Sequence, residues 1–231
     1  KKAFKIALGV ATIVSLTQLM SGHSSADGVA VNQPAKLAAM EGHYEASAPA
    51  DLYVLGWVDN ETQEVTGLKV PNGLSFLILQ DSKTPVTGLN AFPKEDQPSQ
   101  VNAVFQFYHI MVAIGMFLIA LTVYASFLWW RGTLFEKKWL LRIFAFSVLL
   151  PQIANQAGWF AAEMGRQPWV VYGHLRTSEA FSQEVSSNQI LFSLILFFVV
   201  YTILFLLFLY SMHKKIKKGP YEEAQTELQL A

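Results

Sequence analysis

The chain has 231 residues, of which 52% are hydrophobic and only 15% charged, against roughly a quarter charged in an ordinary soluble domain. Its 17 basic and 17 acidic residues cancel, so the net charge points to no nucleic-acid partner and no acidic substrate. Cysteine is absent, which excludes disulfides, thiolate catalysis, Cys-ligated zinc and Cys-bound iron–sulfur clusters, but leaves His, Met and carboxylate ligands available.

Four apolar runs, Phe4–Met20, Val104–Trp130, Trp139–Ala162 and Ile190–Met212, are long enough, or nearly so, to cross about 30 Å of hydrocarbon. They predict an all-α integral membrane protein. The expected spans are 1–20, 104–130, 139–165 and 190–213, with a long extracytoplasmic loop at 21–103, a shorter one at 166–189 and a polar cytoplasmic tail at 214–231. The second and fourth runs lack Asp, Glu, Lys and Arg, and the third holds only Arg142, near enough to its start to snorkel. Because Lys1, Lys2 and Lys5 precede the first run, that run taken alone reads equally as a secretory signal peptide. If every run crosses, Lys1, Lys2, Lys5, Arg131, Lys137, Lys138, Arg142, Lys214, Lys215, Lys217 and Lys218 fall on one side. Lys36, Lys69, Lys83, Lys94, Arg166 and Arg176 are left spread over the longer segments of the other, so both termini are expected in the cytoplasm. The chain opens on Lys1 and not on Met, as a processed chain, a fragment or an internally numbered sequence would.

Within 21–103, turn-forming Pro71-Asn72-Gly73 and short alternating apolar stretches such as Leu74–Leu79 suggest a little local structure, but the apolar content is too low for a large independent core. At the end of the third span, Gln152, Gln156, Trp159 and Glu163 follow at helical spacing and form one polar and aromatic stripe, which faces protein or cofactor and not lipid. Gly158 with Ala162, and Ala161 with Gly165, form small-residue pairs that admit a close neighbour, whether helix or flat macrocycle. Pro168 ends the helix and leaves Arg166 and Trp169 at the interface. On spacing alone, Glu163 reads as well as a snorkelling carboxylate paired with Arg166, and Trp159 and Trp169 as an aromatic belt. His23, His43, His174 and His213 have no metal-ligand spacing and read as surface or interface residues.

The run from Gly158 to Trp169, GWFAAEMGRQPW, resembles the signature of cytochrome bd oxidase subunit I. That resemblance implies that Glu163 is an axial ligand of one of two high-spin haems, haem b and haem d (or a further haem b), with Trp159, Arg166, Gln167 and Trp169 in the haem environment. An anionic ligand partly offsets ferric charge, and a guanidinium suits a haem propionate. The segment Phe105–Gly115 is similar to the family stretch whose methionine ligates low-spin haem b, here Met111, with Gly115 on the same helix face. His109, some 200° around the helix from Met111 at about 100° per residue, stands where some members carry arginine, as a propionate or quinol-site neighbour. Lys36-Leu-Ala-Ala-Met-Glu41 resembles the core of the family's quinol-binding loop, which implies roles in quinol oxidation for Lys36 and Glu41 and makes the first run a true span.

The resemblance covers nearly the whole chain but about half of the family's subunit. It implies a quinol:oxygen oxidoreductase in the bacterial inner membrane, electrogenic without proton pumping. Quinol is oxidised at the outer face, and electrons pass through low-spin haem b to the high-spin pair, where O2 is reduced to water. The implied partners are an N-terminal half of subunit I, subunit II and a small single-helix subunit, besides membrane lipid. The competing class is a membrane receptor or assembly subunit without haem.

Overall fold

The computed structural model describes residues 1–79, 85–182 and 184–230, without the side chains of 79 and 219–230. Residues 80–84 of the expected outer loop, Lys83 among them, lie outside the described residues. Residues 1–180 form one unit and residues 181–231 a second.

The first unit is mostly helical. Helix α1 (Lys2–Asn32) does not give way to loop at position 21 but continues to Asn32. Its polar last turns are satisfied internally: Ser25 Oγ donates to the Ser21 carbonyl at 2.9 Å, Asn32 Nδ2 to that of Gly28 at 2.8 Å, and His23 lies 3.8 Å from Asp27 one turn on. Helix α2 (Pro34–Glu41) follows at once, opened by a proline whose fixed φ suits the first turn. It closes on Gly42 at φ +62°, where a Cβ would come within 3.0 Å of the Val58 and Val65 side chains, so glycine is required on both counts.

A hairpin of β1 (Leu52–Asp59) and β2 (Glu64–Val70) comes next, antiparallel, with Trp57 opposite Thr66 and Val58 opposite Val65. The Pro71-Asn72-Gly73 turn forms as expected, but Leu74–Leu79 belongs to a helix, α3 (Gly73–Leu79), and not to an alternating strand. Leu74 and Ile78, four apart, meet Ala50, Leu52 and Val86 on one face, and the Ser75 hydroxyl accepts from the Ala50 amide at 2.8 Å.

Helix α4 (Val101–Trp130) is the central element, packed against α1, α2 and β1 as well as the third apolar run. That run is broken into α5 (Lys138–Phe146), a 3₁₀ turn at Ser147–Leu149 and α6 (Leu150–Arg166). Pro151 accounts for the break, because it has no amide for the Ser147 carbonyl and its ring crowds that oxygen. A small hairpin, β3 (Trp169–Val171) with β4 (Leu175–Arg176), completes the unit.

The second unit is one helix, α7 (Ser187–Leu230), which runs on through Gly219-Pro220. None of its described apolar side chains is buried within the chain, and Phe198 is 74% exposed. Four helical stretches, Lys2–Asn32, Lys94–Trp130, Lys138–Arg166 and Ser187–Lys218, are long and apolar enough to cross a membrane. Apolar surface on that scale is stable only in lipid or against other protein.

Two buried clusters hold the first unit along α4. At its Trp130 end, Leu8 meets Leu121, Ala125, Leu128, Leu134 and Leu140, flanked by Phe4, Phe135 and Phe144. At its Val101 end, the alanines of α2 (Ala35, Ala38, Ala39) close with Val58, Leu89, Val104, Phe105 and Ala161. Residues 21–103 thus share much of their burial with the apolar helices, beside a small cluster of their own at Ala50, Leu74 and Val86.

Candidate functional site

Asn102, Gln106 and His109 follow at intervals of four and three on α4, forming a polar stripe on an otherwise apolar helix. All three grip the free edge of β1. Asn102 Oδ1 accepts from the Val58 amide at 3.1 Å, Gln106 Nε2 donates to the Gly56 carbonyl at 2.7 Å, and His109 Nε2 lies 2.6 Å from the Tyr53 carbonyl. His109 Nδ1 is 2.8 Å from the Phe105 carbonyl, and its ring stacks on the Phe105 ring at 3.8 Å between centroids. Both ring nitrogens are engaged by main-chain oxygens, so His109 works as a tie between strand and helix.

On the neighbouring face, Val101, Val104, Phe105 and Tyr108 turn towards α2. There Glu41, in the last turn of α2, is 3% exposed, and its Oε2 has no hydrogen-bond partner. Burial pushes the Glu41 carboxyl up from its ordinary 4.5 to about 7, and the influence of the Tyr108 hydroxyl offsets part of that rise.

Lys36 leaves the opposite end of α2 and lays its stem on α6, where a Cβ on Gly165 would sit 3.2 Å from Lys36 Cγ. Burial holds the Lys36 ammonium below its ordinary range, the Arg166 charge adds to this, and Glu163 works against it. Glu163 and Arg166 form the ion pair that their spacing predicts. Arg166 Nε is nevertheless buried without a partner, and so is Gln33 Oε1 where α1 meets α2.

The small face of α6, with Ala157, Ala161 and Gly165 buried, packs against α4. Met111 uses that closeness: its sulfur lies where a Cβ on Gly158 would be, at 2.5 Å. The thioether is thus turned into the helix seam, whereas Gly115, one turn on, has open space beside its backbone. Rotation from one to the other is undemanding for an unbranched side chain. A groove of about 280 Å³ opens along the same seam, lined by Phe107, Ile110, Gln152, Gln156 and Phe160 among others.

The remaining expected residues are dispersed. Trp159 is 56% exposed beside Phe160. Gln167 and Trp169 serve the β3–β4 hairpin: Thr177 Oγ1 donates to Gln167 Oε1 at 2.7 Å, and the Arg176 guanidinium lies 4.8 Å over the Trp169 ring while pairing with Asp96 at 2.5 Å. Sequence reasoning passed over Tyr108, Gln33 and the Asn102/Gln106 pair. The stripe at 102, 106 and 109 carries the same four-and-three signal as the one on α6.

These residues suit a haem by three observations: a thioether and a carboxylate are present as axial donors, Arg166 has a buried nitrogen without an acceptor, and glycines open the backbone at 115 and 158. No group of three or more His, Cys, Asp and Glu that could hold a bare metal ion occurs among the described residues.

Comparison with known proteins agrees. Cytochrome bd ubiquinol oxidase subunit 1 of Bacillus subtilis (strain 168) is 34% identical over 229 residues, which are 95% of this chain and 49% of the relative. Cytochrome bd-II ubiquinol oxidase subunit 1 of Escherichia coli (strain K12) is 28% identical, over 95% of this chain and 55% of its own length. The solved bd oxidase from Geobacillus thermodenitrificans superimposes with a TM-score of 0.78 at 31% identity, covering 95% of this chain and 50% of the other. The chain thus spans about half the length of the relatives it matches. The family model for cytochrome bd terminal oxidase subunit I matches residues 1–220, and the chain belongs to that family.

Proposed function

We propose that this chain carries the quinol-oxidising loop and two haem ligands of a respiratory quinol oxidase, reducing O2 to water at the expense of quinol. The observation that carries this reading is that, among the described residues, Gln33 Oε1, Glu41 Oε2 and Arg166 Nε, on or beside α2 and α6 where these pack against α4, are buried without partners. Each such atom costs about 1–3 kcal/mol unless a ligand completes it. A quinol hydroxyl matches the Glu41 oxygen, and a haem propionate matches the Arg166 nitrogen.

In this reading Glu41 accepts a proton from the quinol at the outer face, and Lys36 stabilises the anion left behind. Met111 would hold low-spin haem b and Glu163 a high-spin haem, haem b or haem d. His109, Trp159, Arg166, Gln167 and Trp169 shape the surroundings, His109 by fixing β1. When bound, the haems supply the electron path and the oxygen chemistry.

In this reading activity requires the N-terminal half of subunit I and subunit II, with a small single-helix subunit as a further partner, in a bacterial inner membrane with residues 21–103 facing out. Lys1 and Lys5 lie over the rings of Phe135 and Trp129, beside the basic stretch at 131–138, which supports a cytoplasmic start of α1. The test is a reduced-minus-oxidised spectrum of the assembled oxidase. Met111→Leu, which conserves volume but has no sulfur lone pair, is expected to lose the low-spin haem b band and keep the others. An unchanged band removes Met111 as a ligand, and an assembly without visible absorption favours a haem-free receptor.

A further inference from the structure

A sheet face turned to water carries polar side chains at alternate positions, and the β1–β2 hairpin departs from this on the face away from α4. Along β1, Gly56 and Val58 turn towards the helix: a Cβ on Gly56 would lie 3.5 Å from the Phe105 ring, and Val58 is buried. The alternate residues, Leu55 and Trp57, point the other way. Leu55 stands opposite Leu68 and Trp57 opposite Thr66, and Leu55, Trp57 and Leu68 are 62%, 65% and 65% exposed. We infer that this face is a lipid-docking surface, resting on the outer leaflet beside α4. Of the function proposed above, it needs the membrane crossing of α4 and the outward side of residues 21–103, and none of the haem or quinol assignments.

The three ties between α4 and β1 set the direction of the hairpin. Asn102 holds Val58, Gln106 holds Gly56 and His109 holds Tyr53, so β1 runs antiparallel to α4. From Asn102 to His109 the helix advances about 10 Å, and His109 stands about 7.5 Å inside the apolar run that starts at Val104. The hairpin tip at 59–64 is therefore its outermost part, and the base, at Tyr53 and its partner Lys69, is the part nearest the hydrocarbon.

Polarity follows that direction. The tip carries Asp59, Glu61 and Glu64, all exposed; Trp57 comes next, then Leu55 and Leu68, with exposed Val54 and Val70 towards the base. Lys69, the cation at the base, has its charge met by Asp51 at 2.7 Å. Charged, aromatic, then aliphatic is the order that a bilayer imposes along its normal, with tryptophan favoured at headgroup depth. A protein partner imposes no such order. The ties also meet the main-chain needs of the strand: the Val58 amide and the Gly56 and Tyr53 carbonyls are all engaged by side chains of α4, as an edge brought close to lipid requires. Past His109, α4 itself exposes Val112, Met116 and Phe117, so apolar surface carries on along the helix from the level of the hairpin base.

The test uses the assembled oxidase in nanodiscs of phosphatidylethanolamine and phosphatidylglycerol, a fraction of the lipid carrying a nitroxide near the top of its acyl chain. This chain has no cysteine, so Leu55→Cys, Leu68→Cys and Glu61→Cys each add one thiol to it for a bimane label, with the unsubstituted oxidase as background. Labels at 55 and 68 are expected to lose most of their emission to the nitroxide lipid. The label at 61 is expected to keep most of its own there and to be quenched by dissolved iodide instead. Two sites on the face keep the test open should one substitution disturb assembly. Lipid quenching at 55 and 68 no stronger than at 61 overturns the inference, iodide quenching at those sites then meaning open water and its absence a protein partner. A membrane-impermeant maleimide on right-side-out membrane vesicles separates this from failure of the membrane reading: if it cannot reach position 61 in Glu61→Cys, the hairpin is not on the outer side, and the docking on the outer leaflet falls whatever the quenching shows.

Discussion

The two ends of α4 are built on opposite plans. At the Trp130 end the core is aliphatic and aromatic, and its hydroxyls close on one another: Thr12 Oγ1 donates to the Leu8 carbonyl at 2.8 Å, and Ser126 Oγ lies 2.8 Å from it. At the Val101 end a similar apolar cluster encloses Glu41, abuts the Lys36, Glu163 and Arg166 charges, and leaves three polar atoms unpaired. The first end is arranged for packing alone. The second accepts unpaired polar groups that packing alone would select against, and this is the usual mark of a binding site.

Substitutions of the polar groups at the Val101 end should therefore act on chemistry, and those in the apolar packing of either end on stability. The largest effect is expected from Glu163→Gln, which keeps shape and hydrogen bonding but removes the anion. Oxidase turnover should fall by at least about 100-fold with loss of a high-spin haem signal, while the low-spin haem remains reducible by quinol. Full turnover with a normal spectrum would leave the Arg166 ion pair as the whole role of Glu163.

Glu41→Gln comes next, with quinol oxidation expected to fall by about 100-fold while O2 consumption driven by an artificial donor to the haems is spared. Equal loss of both would make the loop structural. The same carboxyl sets a pH window for docking of α2. Its folded value of about 7 lies above its ordinary 4.5, so the stabilisation is fully present below 4.5 and is lost as pH rises through about 7. Amide exchange in α2 should accelerate over that interval, and Glu41→Gln should flatten the profile.

Phe105→Ala removes the largest fully buried side chain of the Val101 cluster and should cost about 3–5 kcal/mol of docking stability. Limited proteolysis of the β1–β2 hairpin in the assembled oxidase reads this directly, and unchanged resistance would mean that the hairpin is held by its hydrogen bonds alone. The smallest effect belongs to the other end. Ser126→Ala, which removes the partner of Thr12, should cost about 0.6 kcal/mol in thermal unfolding and leave turnover intact. A drop in turnover would erase the contrast between the two ends.

The apolar runs were legible because about twenty residues without charge have few other uses, and the Glu163–Arg166 pair followed from spacing. The continuation of α1 to Asn32 was not, since its last turns are polar and only the side-chain bonds of Ser25 and Asn32 show how they stay helical. Burial of Glu41 was equally hidden: six residues of α2 are buried, and the cluster on that helix draws partners from Val58 to Ala161, about which periodicity within one helix carries no information. The grip of α4 on β1 lay between these cases: the spacing at 102, 106 and 109 carries a helical signal that the sequence reading passed over, and nothing local in the sequence names its target.

That grip has a consequence for how freely the hairpin can change. Asn102, Gln106 and His109 hold β1 through the Val58 amide and the Gly56 and Tyr53 carbonyls, all of them main-chain atoms. The identities of the outward-facing residues Val54, Leu55 and Trp57 are not read by the helix at all, and each is 45% exposed or more. Lineages can therefore rewrite that face while the strand stays seated.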